Sequence, residues 1–113
     1  MTPKLAYVIE FVADMERAVK FYRDVVGFPL KFQSPGWSEF STGETTLALH
    51  PASDKSPAGK IDLGFTVSDL QQFHQEMQAK GVKFLMPPTK QDFGNMLARF
   101  VDSEGAHPSA GEA

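Results

Sequence analysis

The chain has 113 residues, which is one domain's worth of sequence with a single core, so a single domain over residues 1–113 is expected. Apolar residues make up 42% and charged residues 22%, values of a folded globular protein rather than a disordered one. Eleven Lys and Arg against fourteen Asp and Glu give a net charge of −3 with no basic run, which argues against nucleic acid as a partner.

There is no cysteine, which removes disulfides, thiolate metal ligands and cysteine nucleophiles from consideration. The apolar stretch Leu5 to Val12 is cut by Glu10 and falls far short of the roughly 20 residues a membrane span needs. It also lacks a signal-peptide pattern, so no membrane association and a cytoplasmic location are expected. Ten Phe, two Tyr and one Trp are many for this length, and aromatic side chains line ligand cavities as well as cores.

In chain order, LAYVIEFV at 5–12 reads as a strand, rich in β-branched and aromatic residues. Asp14 then opens a helix with apolar residues at Ala18, Phe21, Tyr22, Val25 and Val26. The Asp14 carboxylate suits an N-cap, and Gly27 suits the left-handed position that ends a helix. Leu30 to Gln33, Trp37 to Ser41 and Thr45 to His50 follow as a three-stranded meander, punctuated by Ser34-Pro35-Gly36 and Thr42-Gly43-Glu44. PASDKSPAGK at 51–60 has no apolar period and reads as a linker.

The order then restarts. Ile61 to Val67 reads as a strand, Asp69 opens a helical stripe of Leu70, Phe73 and Met77, and Gly81 closes it. Val12-Ala13-Asp14-Met15 matches Val67-Ser68-Asp69-Leu70 at an offset of 55, so the chain is two similar modules, about 4–50 and about 61–106. The second copy departs from the first in two places. Pro87-Pro88 is expected to interrupt its meander, and AHPSAGEA lacks strand alternation, so an irregular tail over 107–113 is expected.

A duplicated βαβββ unit carrying VADMERAVKFYRDVVGF at 12–28, with its Phe21-Tyr22 pair and Gly27-Phe28 ending, resembles the vicinal oxygen chelate superfamily of glyoxalases, bleomycin-resistance proteins and extradiol dioxygenases. Gly81-Val82-Lys83-Phe84, Pro88, Phe93-Gly94 and the Val101-Asp102-Ser103-Glu104-Gly105 turn extend the likeness to about residue 106. The resemblance implies an α+β fold: paired βαβββ modules forming a curled mixed sheet, helices on its convex face and a ligand cavity on its concave face. It also implies, for enzymatic members, a divalent metal held by His or Glu from the first and fourth strands of each module. Those positions fall on Tyr7, Ala48, Asp62 and Ser109 here.

Imidazole and carboxylate bind such metals, and of these four only Asp62 qualifies, so no metal and no other cofactor are expected. His50 shares strand parity with Ala48 and is a candidate for the cavity. His74 falls on the polar side of the second helix and His107 in the tail, both expected at the surface. Parity puts Tyr7, Ile9 and Phe11 on one face of the first strand, which the resemblance turns toward the cavity, and the same reading adds Trp37 and Glu39, then Ala48 and His50, and Asp62. Ile61, Leu63, Phe65 and Val67 are expected beneath the helices. Glu10 turns to the helix side with Val8 and Val12, and is expected to reach solvent at the sheet margin because an unpaired buried carboxylate is costly.

An aromatic pocket with carboxylates at Glu39 and Asp62 suits flat or cationic molecules. The leading expectation is a metal-independent small-molecule binding protein for an aromatic or cationic ligand, resembling the bleomycin-resistance branch that sequesters its ligand without altering it; antibiotic resistance is one role this implies. The alternatives are a metal-free lyase or isomerase, with Glu39 or Asp62 as base and Tyr7 as proton donor, and a lyase or dioxygenase with relocated metal ligands at His50, Asp62 and Glu39. A homodimer is expected, because a small sheet leaves edges to cover.

Overall fold

The computed structural model describes residues 2–92 and 94–113; Phe93 of the Phe93-Gly94 motif lies outside the described residues. Among the described residues, eight strands and two α-helices follow one another as two βαβββ modules, the expected α+β fold class. The chain divides into two compact units. One is Ala6–Ile61; the other is Asp62–Ala113 together with the N-terminal residues through Leu5.

In the first unit, β1 (Lys4–Val12) is followed by α1 (Met15–Lys20), a π-helical turn over Phe21–Val26, β2 (Leu30–Gln33), β3 (Ser38–Ser41) and β4 (Thr46–Pro51). The strand order is β2-β3-β4-β1, with β4 and β1 parallel and the other pairs antiparallel. The Asp14 carboxylate caps α1 by accepting from the Arg17 backbone N–H at 3.0 Å. Gly27 ends the helical segment with φ of 96°, a conformation that suits glycine. The single helix expected between Asp14 and Gly27 is thus split, its second half widened into a π-helix. Val12, Val19, Phe40 and Leu49 form the core under the helix, with Met15, Tyr22, Phe28 and Leu30 against it.

In the second unit, β5 (Ile61–Val67), α2 (Leu70–Ala79), β6 (Phe84–Lys90), β7 (Met96–Phe100) and β8 (Ser109–Glu112) give the order β5-β8-β7-β6. Asp69 caps α2 through Gln72 N–H at 3.0 Å, and Gly81 has φ of 89°. The core is Val67, Leu70, Phe73, Ala98 and Ala110, ringed by Met77, Phe84, Met96 and Phe100.

The structure corrects three expectations here. The tail over 107–113 is not irregular: β8 lies between β5 and β7, parallel to one and antiparallel to the other. It needs no apolar alternation because its inward residue, Ala110, is fully buried between the neighbouring strands. Pro87-Pro88 does not break the meander but runs within β6, whose pairing with β7 shifts register between Met86 and Thr89. An edge strand tolerates two missing N–H donors. Finally, only the C-terminal half of β5 is covered: Val67 is 2% exposed, but Leu63 and Ile61 are 40% and 50% exposed.

Candidate functional site

In the first unit, β1, β3 and β4 present one face to α1 and the other away from it. Register sets Tyr7 beside Thr46, Ile9 beside Ala48 and Phe11 beside His50, while Glu39 lies across from Ala48. Strand parity therefore gathers Tyr7, Ile9, Phe11, Glu39, Ala48 and His50 on the face away from the helix. Trp37, just before β3, joins them: its ring centroid lies 6.2 Å from Tyr7 and 6.3 Å from His50, both edge-on. His50 is also 5.2 Å from Phe11. The result is a continuous run of rings, of which Phe11 is buried, Tyr7 and Trp37 half-buried and His50 exposed.

One carboxylate anchors this run. The Trp37 indole N–H donates to Glu39 Oε2 at 2.7 Å, and Lys31 Nζ stands 3.9 Å from Glu39 Oε1. That bond fixes the indole plane, while the loose pairing with half-exposed Lys31 leaves the second oxygen within reach of another cation. The Tyr7 phenol is held protonated to higher pH than usual, first by burial and then by the Glu39 charge. His50 donates from Nδ1, in the tautomer protonated there, to the Pro51 carbonyl oxygen 2.8 Å away.

Lys31 is the member that parity did not supply. The β2–β3 pairing shifts between Leu30 and Phe32, so Lys31 sits at an irregularity that no alternation rule reports. Asp62, on β5 of the second unit, is 8% exposed, and Ser109 lies in β8 across from Gly64. His74 is half-buried with its ring 4.5 Å from Phe84, rather than fully at the surface, while His107 is exposed.

The four positions that the resemblance gives to metal ligands do not fit a divalent ion. Ala48 carries no donor atom and is fully buried, and Tyr7 and Ser109 carry hydroxyls, which are weak ligands beside imidazole or carboxylate. Among the described residues no group of three or more His, Asp or Glu converges as a metal site would require.

Glu10 also differs from expectation. It turns to the helix side, but instead of ending in solvent it is half-buried and accepts a 2.5 Å hydrogen bond from the Tyr22 hydroxyl. Burial and this bond raise the Tyr22 pKa to about 12. A phenol whose folded-state value exceeds its unfolded value of 10.0 stabilises the fold fully below pH 10, and the contribution disappears as pH rises through about 12. Urea denaturation between these pH values is expected to show a steeper loss of stability in the wild type than in Tyr22→Phe, and parallel curves would refute the coupling.

Comparison with known proteins agrees with the fold. Uncharacterized protein YetH of Bacillus subtilis (strain 168) is 26% identical, over 93% of this chain and 94% of that protein. A crystal structure of a hypothetical protein from Bacillus halodurans C-125 superposes with a TM-score of 0.81 at 20% identity, covering 100% of this chain and 96% of the other. Methylmalonyl-CoA epimerase from Mycobacterium tuberculosis superposes at 0.77, also with 20% identity, over 96% of this chain and 86% of its own. No described helix is long and apolar enough to cross a membrane. The sequence profile of the Glyoxalase/Bleomycin resistance protein/Dioxygenase superfamily matches residues 4–107, and the chain belongs to that family.

Proposed function

We propose that the protein is a metal-independent small-molecule binding protein of the glyoxalase and bleomycin-resistance type, taking a flat aromatic cation. The observation that carries this reading is the 2.7 Å bond from the Trp37 indole to Glu39, which couples a ring surface to a carboxylate on the face away from the helix. A planar cation stacks against Trp37 and Tyr7 while its charge meets Glu39, displacing the loosely held Lys31. His50, Phe11, Ile9 and Ala48 complete the floor of the same face. The protein works as a cytoplasmic homodimer that sequesters its ligand, an antibiotic among the candidate classes.

A thermal-shift screen tests this. Aromatic cations are expected to raise the melting temperature, whereas neutral compounds of the same ring size give little shift. A screen in which neutral and anionic rings do as well as cations contradicts the charge-reading role of Glu39.

One observation favours a second reading, a metal-free lyase or isomerase: the Tyr7 phenol and the Glu39 carboxylate share the face away from the helix, which puts a candidate proton donor and a candidate base on one surface. Turnover that survives chelator and is lost in both Glu39→Gln and Tyr7→Phe would select it over simple sequestration.

A further inference from the structure

The helix side of the first unit holds a cavity of about 340 Å³ that shares Phe11, and no other side chain, with the site described above. Its walls include Glu10, Ala18, Phe21, Tyr22 and Ala58, with Arg17 also contributing. That volume is near the lower end of the roughly 300 to 1,000 Å³ typical of ligand pockets.

Three features converge there. Glu10 is the charged residue of the stretch Leu5 to Val12 of β1, and it is half-buried with the Tyr22 hydroxyl as its donor. Among the described residues no Lys, Arg or His comes within ion-pairing distance of it. A carboxylate offers about four acceptor positions, so one phenol leaves most of them open. The wall beside it is the π-helical turn, which presents Phe21 at 50% exposure instead of burying it. Widened turns of this kind occur often at functional sites. Asp14, by contrast, is spent on the helix cap.

We propose that this cavity is a second ligand site, which takes a primary ammonium ion carried on an apolar or aromatic body. The ammonium donates to the open Glu10 oxygen, and the body lies against Phe21, Ala18 and Ala58. Arg17 disfavours the cation by like charge, and so sets how tightly the site holds it.

The test is a two-dimensional amide NMR titration of the full chain carrying Trp37→Ala, which weakens the proposed site on the other face. The probes are 2-phenylethylammonium, 2-phenylethanol and phenylacetate. Saturating shifts at Ala18, Tyr22 and Gly59 are expected with the ammonium alone, weakened about ten-fold by Glu10→Gln and strengthened several-fold by Arg17→Gln. Ala58→Trp, which fills the cavity while keeping Glu10, should abolish them and covers the case in which Glu10→Gln fails to fold. Equal binding of the alcohol, shifts confined to Thr46 and His50, unchanged affinity in Ala58→Trp, or no saturable shift would each overturn the proposal.

Discussion

Phe40→Ala is expected to destabilise the protein by about 3 to 5 kcal/mol, enough to unfold a marginal domain of this size. Phe40 is fully buried under the helix, packed with Val12, Val19 and Leu49, and its ring lies 5.9 Å from that of Tyr22. Truncation removes the transfer energy of the ring and leaves a void that neighbours on three strands and a helix cannot all close. Phe32→Ala is the control: that ring is 53% exposed, and its loss should cost no more than about 0.5 kcal/mol. Urea denaturation of the two variants checks the contrast, and equal losses would mean that the core is misassigned.

The second large effect concerns binding. Trp37→Ala is expected to weaken an aromatic cation by roughly 10 to 100-fold, combining lost stacking and cation–π attraction with a Glu39 that has lost its indole donor. Trp37→Phe keeps a ring but not the N–H, and should fall between the two. Isothermal titration with the strongest cation from the screen measures both. An unchanged affinity in Trp37→Ala would remove the ring run from the site.

Much of the first module was legible in the sequence, because its signals were local and redundant. Asp14 and Gly27 bracket the helical segment through cap chemistry, Leu30 to Gln33 matches β2 residue for residue, and alternation assigned Tyr7, Glu39, Ala48 and His50 to one face. What was not legible depended on partners distant in sequence. β8 reads as a tail because Ser109, Ala110 and Gly111 have low strand propensity, and only its position between two other strands makes small residues favourable. Pro87-Pro88 reads as a break unless the strand is known to be an edge. Lys31 reaches Glu39 through a register shift, and Glu10 finds Tyr22 across a π-helical turn, neither of which follows from a fixed period. Leu63 reads as core by parity, yet it stays exposed because α2 covers only the far end of β5.

The same dependence separates the family from the function. The profile match and the duplicated βαβββ order fix the scaffold, but the scaffold serves several chemistries. What distinguishes this chain is side-chain content: hydroxyl, methyl and carboxylate groups where a metal centre would need convergent imidazoles or carboxylates, and an indole held against Glu39.

The most direct measurement is calorimetric titration of an aromatic cation into protein purified with and without a strong chelator, paired with elemental analysis of the same samples. The account predicts affinities equal within about two-fold in both preparations and a marked loss in Glu39→Gln. Binding that vanishes with chelator and returns on adding a divalent metal would contradict it.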